Sequence, residues 1–216
     1  MFLECVILLH GLARTDVSMK VLERSLVQSG YHVVNYYYPS RQHTIEVLAK
    51  EELPKALKKC PKETQKIHFV THSMGGIILR QYLQYNTIDN IGKVVMLGPP
   101  NKGSEVVDKL KNYQFFKLLN GPAGLQLSTS SDSIPNLIGA WPQDAGELGV
   151  IAGNQSINLF LSTLIPSQDD GKVSIESTKL SGMNDHRVLS TTHPMMMRNK
   201  KVIDQVKAFL KAGRFN

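Results

Sequence analysis

The sequence predicts an α/β fold, an open and mostly parallel sheet with helices on both faces. Short, continuous apolar runs such as Cys5–Leu9 and Lys93–Leu97 suit strands that are covered on both sides, as in a parallel sheet. These runs alternate along the chain with stretches whose apolar residues recur at helical spacing. Such alternation favours crossover connections, which place successive strands parallel to one another.

The predicted elements of the first half are bounded by turn residues. Asp16 is a candidate N-cap for the first helix, Gly30 ends that helix, and Pro39 stops the second strand. In order, the sequence predicts a strand at 5–9, a helix at 17–30, a strand at 31–38, a helix at 45–59, a strand at 67–70 and a helix at 77–83.

The second half begins with the strand at 93–97, after which the regular pattern weakens. Residues of about 105–148 form an irregular segment between two strands, which we interpret as an insertion over the strand ends. A strand at 149–152, an apolar piece at 157–165 and a strand-like run at 188–193 follow. A closing helix at 200–211 places its apolar residues on one stripe, Val202, Ile203, Val206, Phe209 and Leu210.

The segment Lys66–Arg80 combines a strand end, Ser73 and a helix start. A serine hydroxyl becomes a nucleophile when a neighbouring base removes its proton, and the anion it generates needs hydrogen-bond donors. A sharp strand-to-helix turn lifts the side chain clear of the sheet and points the first N–H groups of the helix toward the reacting oxygen. Close approach there requires a small residue, and Gly75 meets this need. A serine N-cap for a helix beginning at Met74 is the plainer alternative.

The Thr-His-Ser-Met-Gly segment at 71–75 resembles the nucleophile elbow of the α/β-hydrolase family, closest to the lipase and esterase variants that read x-His-Ser-Met-Gly-Gly. Thr71 stands where glycine is commonest. The resemblance continues in His10-Gly-Leu12, in Pro39-Ser40 and in Pro99–Ser104, and covers most of the chain except about 105–148. It implies an α/β-hydrolase fold of the small bacterial lipase and esterase type.

A nucleophilic serine requires a histidine base and a carboxylate that holds this base in the right tautomer. His193 follows a strand-like run and precedes a proline, and Asp170 lies in an Asp-Gly turn. The resemblance supports both, because such lipases often carry the triad acid in an Asp-Gly-x-Val segment and the histidine in the last loop before the C-terminal helix. Asp169 remains the alternative acid, since the register of the turn is uncertain from sequence.

The resemblance also implies an oxyanion hole built from the backbone N–H groups of Leu12 and Met74. Apolar residues of the insertion are candidates for the acyl site or are ordinary core, above all Phe115, Phe116, Leu137 and Trp141. We interpret the insertion as a lid-like or cap segment, with two ordinary packing helices as the alternative. No metal ion and no organic cofactor is expected.

Composition limits the remaining possibilities. The 216 residues, 42% of them hydrophobic, favour a single domain over 1–216. The net charge of +7 is spread over predicted helices without interleaved aromatics, which argues against nucleic-acid binding. Peripheral contact with an anionic lipid surface is a minor option. No apolar stretch reaches the roughly 20 residues of a transmembrane segment.

The two cysteines have different sequence contexts. Cys5 lies in a predicted strand and Cys60 precedes a proline, so we expect buried or incidental thiols rather than a bridge or a metal site. The apolar start of the chain carries Glu4 and lacks a basic residue and a cleavage site, so it is interpreted as a strand. Localisation is therefore expected to be cytoplasmic by default, and secreted or periplasmic if a signal segment has been removed.

The sequence thus predicts a serine hydrolase that cleaves carboxylic esters through an acyl-enzyme, with Ser73, His193 and Asp170 as its triad. The expected partner is a small-molecule or lipid ester. An acyl-thioesterase or amidase with the same triad is the alternative within catalysis. The alternative outside catalysis is a hydrolase-fold protein that only binds a ligand.

Overall fold

The computed structural model describes residues 4–156, 165 and 168–216. Its centre is a six-stranded sheet in the order β2-β1-β3-β4-β5-β6, in which all neighbouring strands pair in parallel. This arrangement confirms the predicted fold class. The strands are β1 (Glu4–Leu9), β2 (His32–Tyr36), β3 (Lys66–His72), β4 (Ile91–Leu97), β5 (Leu148–Gly153) and β6 (Asp185–Leu189).

Helices connect the strands and cover the sheet. The α-helices are α1 (Lys20–Gln28), α2 (Ile45–Leu57), α3 (Met74–Leu83), α4 (Glu105–Leu110), α5 (Gln114–Leu125), α6 (Ile134–Leu137), α7 (Ile175–Thr178) and α8 (Lys200–Ala212), and 3-10 helices span Asp16–Met19 and His193–Arg198. Within the described ranges, no helix has the length and apolar character that crossing a membrane requires. The predicted apolar piece at 157–165 lies, apart from its last residue, outside the described residues.

Two hydrophobic cores lie on opposite faces of the sheet. One contains the apolar residues of α2 and α3, together with Phe116 and Trp141 from the segment after β4. The other contains α1 and the predicted stripe of α8, whose five apolar residues are all buried. Alternate residues of the strands enter one core or the other, which explains why the strands read as continuous apolar runs.

The last strand differs from its prediction. The apolar pattern favoured residues 188–193, whereas β6 spans Asp185–Leu189 and begins with polar residues. β6 is the edge of the sheet, paired only with β5, and its residues are only partly buried. An edge strand tolerates charged residues, so apolar periodicity identified only the end of this strand.

The strand order places a switch point between β1 and β3, because the chain extends the sheet in opposite directions on either side of β1. In open parallel sheets, ligands bind outside the carboxyl ends of the strands at such a point. His10 follows β1, Ser73 follows β3 and Gly98 follows β4. The fold therefore brings the three sequence segments of interest to one edge of the sheet.

Cys5 and Cys60 form a disulfide, with 5.9 Å between their Cα atoms. The expectation that the two cysteines form no bridge is therefore wrong, although both are buried. The contact arises because α2 packs against the sheet and returns its C-terminal end to the start of β1, a tertiary arrangement that cysteine spacing does not reveal. The bridge links residues that are 55 positions apart.

Reduction of this bridge is expected to lower the thermal midpoint by about 5 to 15 °C, because a loop of this length contributes about 4 kcal/mol in the chain-entropy model. Unfolding should be followed by circular dichroism with and without reductant. The Cys5→Ala/Cys60→Ala double variant is the control, since reductant should not change its midpoint. Two titratable thiols in unreduced, denatured protein would contradict the bridge.

Candidate active site

Ser73 lies at a sharp turn between β3 and α3. Its backbone has φ 53° and ψ −124°, and it occupies the N-cap position of α3 without making a side-chain capping bond. Positive φ is costly for a non-glycine residue and is typical of functional positions. A methyl group on Gly75 would lie 2.6 Å from the Leu9 carbonyl oxygen, so only glycine fits there. The serine is thus held in a strained elbow and does not act as a helix cap.

The threonine that replaces the commonest glycine of the motif is accommodated by Gly76. The Thr71 side chain is fully buried, and its Oγ1 would lie 3.1 Å from a methyl group on Gly76. A side chain larger than hydrogen at position 76 would also press on Met96 Sδ, again at 3.1 Å. The second glycine after Met74 therefore provides the space that Thr71 requires.

His193 and Asp170 form a buried pair. The Nδ1 atom of His193 lies 2.7 Å from Asp170 Oδ2. Because an ionised carboxylate only accepts hydrogen bonds, Nδ1 carries the proton and Nε2 is left as the acceptor. The other carboxylate oxygen, Oδ1, accepts the N–H groups of Lys172 and Val173 at 3.0 Å each. The geometry orients one histidine nitrogen and leaves the other available for proton transfer.

The backbone fixes this pair as well. The N–H of His193 donates to the carbonyl of Asp170 at 2.8 Å. The carbonyl of His193 accepts the Nε2–H of His72 at 3.0 Å, and the two rings lie 4.7 Å apart. Burial, and then the neighbouring His193, hold the pKa of His72 well below its usual range. His72 is therefore neutral at pH 7 and positions the loop that carries His193.

Asp169 has a different environment. Its Oδ1 accepts the N–H of Gly171 at 2.6 Å, which shapes the turn, and the contact to the histidine is made by Asp170. The structure therefore brings the first-choice carboxylate, and not the sequence alternative, to His193.

The loop after β1 is held by His10 and Tyr38. His10 stacks on the Tyr38 ring at 4.1 Å, its Nδ1–H donates to the carbonyl of Gly11 at 2.9 Å, and the Tyr38 hydroxyl donates to the carbonyl of His10. Burial lowers the pKa of His10, so its ring is neutral. Ala13 has a φ of 54°, and its N–H donates to Ser40 Oγ at 3.2 Å. These contacts fix the backbone on both sides of Leu12.

The backbone N–H groups of Leu12 and Met74 donate to no other group among the described residues. Met74 is the first residue of α3, where helix geometry leaves N–H groups unpaired. Leu12 follows Gly11, on which a methyl group would lie 3.1 Å from Ser73 Cβ. Two unpaired donors therefore belong to segments that meet at Ser73.

Ser73, His193, His72 and Leu12 line one cavity of about 390 Å³. In the part of the chain that the structure describes, the Ser73 hydroxyl makes no hydrogen bond to His193. This contact is often long in hydrolases without substrate. The cavity has the size of a small-molecule site. Its apolar wall comes from the segment between β4 and β5: Val106, Val107, Leu110, Phe116, Leu119 and Leu127.

The four candidate acyl-site residues have different positions. Phe116 lines the cavity, whereas the Phe115 and Leu137 residues are 58% and 62% exposed. Trp141 is buried in the core that contains α2 and α3, and its indole N–H donates to the carbonyl of Gly146 at 2.8 Å. Among the described residues, the cavity wall therefore contains one of the four.

Sequence reasoning did not identify Arg80, which is buried although it lies on the apolar α3. Its guanidinium donates to the carbonyls of Asn101, Pro135 and Gly139 at 2.6 to 3.1 Å. Burial lowers its pKa to about 9, so it stays charged at pH 7. Arg80 thereby ties α3, the helix that follows Ser73, to the segment after β4. Arg80 directly follows the small and apolar run Gly75–Leu79, and this position in the sequence could have indicated that it is buried.

A family model described as "Putative serine esterase (DUF676)" matches residues 3–132, which is more than half of the chain. The match contains Ser73 and the loop after β1, and it ends before Asp170 and His193. No curated protein matches the chain.

Solved structures of lipases and esterases share the fold. The mature lipase BlEst2 of Bacillus licheniformis is 16% identical, with a TM-score of 0.67 over 95% of this chain and 90% of that one. The metagenomic carboxyl esterase MGS0156 is 16% identical, with a TM-score of 0.71 over 88% of this chain and 64% of that one. The phospholipase PlaB of Legionella pneumophila is 17% identical, with a TM-score of 0.70 over 89% of this chain and 53% of that one.

Proposed function

The chain belongs to the family described as "Putative serine esterase (DUF676)" and has the α/β-hydrolase fold, and we propose that it cleaves carboxylic esters by nucleophilic catalysis at Ser73. The observation that carries the proposal is the Asp170–His193 pair, in which the buried carboxylate orients a histidine that lines the same cavity as the strained Ser73. A nucleophile, a base and a group that orients the base are the parts that acyl transfer requires.

In the proposed reaction, Ser73 Oγ attacks the ester carbonyl while His193 Nε2 accepts the hydroxyl proton. Asp170 keeps the proton of the ring on Nδ1 and stabilises the imidazolium that forms. The N–H groups of Leu12 and Met74 donate to the oxyanion. His193 then protonates the leaving alcohol, and water, deprotonated by the same nitrogen, releases the acid from the acyl-enzyme.

The cavity wall supports an apolar acyl chain. Helices α4 and α5 place Val107, Leu110 and Phe116 beside the nucleophile, so the segment of about 105–148 acts as a cap that forms part of the acyl site. We include this role in the proposal, together with a single catalytic domain. Phe115, Leu137 and Trp141 then act in the cap and core, outside the acyl site.

Two further features bear on the setting of the reaction. The exposed residues Tyr113, Phe115 and Leu118 lie on or beside α5, close to three lysines (109, 111 and 117), which favours peripheral contact with an anionic lipid surface. The Cys5–Cys60 disulfide favours an oxidising compartment over the cytoplasm. We therefore propose a secreted or periplasmic enzyme that acts on small-molecule or lipid esters.

Labelling of the active serine tests the proposal. A fluorophosphonate probe is expected to modify the wild type and the Ser104→Ala variant, and to leave Ser73→Ala unmodified. Ser104 is the matched control because it lines the same cavity, while its hydroxyl donates to the carbonyl of Lys172 at 2.8 Å. Labelling that persists in Ser73→Ala, or fails in the wild type, would contradict the nucleophile and favour a binding protein.

The ester class is tested with matched acyl groups. We expect kcat/KM to be highest for 4-nitrophenyl esters, compared with acyl-thioesters and with amides of the same acyl chain. A large preference for thioesters or amides would replace the proposed reaction by one of the two sequence alternatives.

A further inference from the structure

Three basic residues line the cavity that contains Ser73: Arg14, Arg41 and Lys172. They come from three different loops, after β1, before α2 and after the Asp170 turn. The lining contains no Asp or Glu. Three cations from separate parts of the chain therefore line a cavity that also has an apolar wall.

These cations have no carboxylate partner. Among the described residues, none of the ion pairs includes Arg14, Arg41 or Lys172. The residues outside the described part contain no acidic side chain. Asp170 lies near Lys172, but its two carboxylate oxygens accept from His193 and from backbone N–H groups. The cavity lining therefore carries three positive charges, whereas the carboxylate near Lys172, Asp170, is buried and does not belong to the lining.

The charges also affect one another. Burial and the nearby Arg14 both lower the pKa of Lys172, although much of the lysine side chain is exposed at the rim. Arg14 and Lys172 likewise lower the pKa of His72, which places both cations near His72 and the adjacent His193 ring. Like charges that crowd a site repel one another unless an anion joins them. An anion bound between these groups would relieve the repulsion between Arg14 and Lys172.

The two arginines are carried on fixed backbone. Arg14 follows Ala13, whose positive φ and hydrogen bond to Ser40 hold the loop. Helix α5 is kinked at Gly121, which has φ 63°. The Arg41 backbone packs against this kink, because a methyl group on Gly121 would lie 1.9 Å from the Arg41 carbonyl oxygen. Planar guanidinium groups on fixed loops suit bidentate contacts with carboxylate or phosphate.

We propose that the cavity selects esters that combine an apolar acyl chain with a carboxylate or phosphate group, which Arg14, Arg41 and Lys172 bind. The inference rests on the proposed ester hydrolysis and specifies its substrate class. The apolar chain packs on α4 and α5 while the anion lies at the basic side of the same cavity. Both ends of the substrate are then held on either side of the reacting carbonyl.

Selectivity for the anion is measured with two substrate pairs. The first pair is phenyl hexanoate and 4-carboxyphenyl hexanoate, which share the acyl chain and differ by one carboxylate on the alcohol side of the ester. The second is a short-chain diacylglycerol and the corresponding phosphatidic acid, both below their critical micelle concentrations. At low ionic strength, kcat/KM is expected to favour the anionic member of at least one pair by about tenfold, and 0.5 M NaCl should reduce that preference.

Variants assign the preference to the three cations. Arg14→Gln, Arg41→Gln and Lys172→Gln should each lower the anionic-to-neutral ratio of kcat/KM, and the triple variant should bring it close to one. Arg24→Gln is the matched control, because Arg24 is an exposed arginine of α1 outside this cavity and has no ion pair among the described residues. It should leave the ratio unchanged.

The outcomes separate this inference from the proposed function. Hydrolysis of neutral esters without preference for either anion, or a ratio that survives in the triple variant, would overturn the inference and leave ester hydrolysis intact. Failure to hydrolyse any of the four esters would overturn both. A preference confined to the phosphate pair indicates a lipid headgroup, and one confined to the carboxylate pair indicates a soluble acidic ester; each supports the inference.

Discussion

Replacing Ser73 by alanine is expected to lower kcat for ester hydrolysis by about 10⁴-fold or more, because no other group then forms the acyl-enzyme. Alanine, like serine, has a Cβ atom and can adopt the positive φ of this position at a similar cost, so the fold should change little. The rate should be measured on 4-nitrophenyl hexanoate after circular dichroism has confirmed the native helix content. Ser104→Ala, in the same cavity, should stay within about threefold of the wild type.

The His193→Ala variant should lose a similar factor, and the double variant should be only slightly slower than either single one. Groups that act as one unit are strongly non-additive, since removing either stops the same step. Losses that multiply in the double variant would show that Ser73 and His193 act independently. A Ser73→Ala enzyme within tenfold of the wild-type rate would remove the nucleophile from the proposal.

Much of the fold could be predicted because buried parallel strands leave a strong pattern. The runs at 5–9 and 93–97 read as strands since both of their faces enter a core. The start of β6 could not be read, because Asp185 and Arg187 suit a partly exposed edge. Apolar pattern reports burial, so it is least informative where a strand lacks one neighbour.

Contacts that depend on packing were harder to predict. The Cys5–Cys60 bridge requires α2 to end beside the start of β1, and nothing in the spacing of the cysteines specifies that. Phe115 and Phe116 are adjacent in sequence, yet only Phe116 faces the cavity, because the orientation of α5 decides it. The apolar sequence pattern can predict an amphipathic helix, but it does not show which side of that helix faces the cavity.

The candidate catalytic residues could be predicted from sequence for a different reason. The strand-to-helix turn at Ser73 and the Asp-Gly turn at Asp170 are local features with their own sequence signals. Arg14, Arg41 and Lys172 have no such signal, because each looks like an ordinary surface cation. Only the three-dimensional arrangement shows that they share a cavity.

Asp170→Asn is expected to lower kcat by about 10³- to 10⁴-fold while the fold is kept. The amide is nearly isosteric, but its NH₂ group can donate to Nδ1, which favours the tautomer with the proton on Nε2 and removes the base. It also removes the negative charge that stabilises the imidazolium. Kinetics on a neutral 4-nitrophenyl ester isolate this effect from recognition of an anionic substrate.

Asp169→Asn is the matched control for this prediction, because the two carboxylates are neighbours in one turn and differ in their contacts. Asp169 Oδ1 accepts the Gly171 N–H, a role that an amide oxygen can also fill. The decrease in kcat caused by Asp169→Asn should therefore stay below about tenfold. Because His193 Nδ1 contacts Asp170 Oδ2 at 2.7 Å, Asp170→Asn should lower kcat more than Asp169→Asn does. A larger loss from Asp169→Asn than from Asp170→Asn would mean that the turn adopts the other register in solution, and the acid of the triad would have to be reassigned.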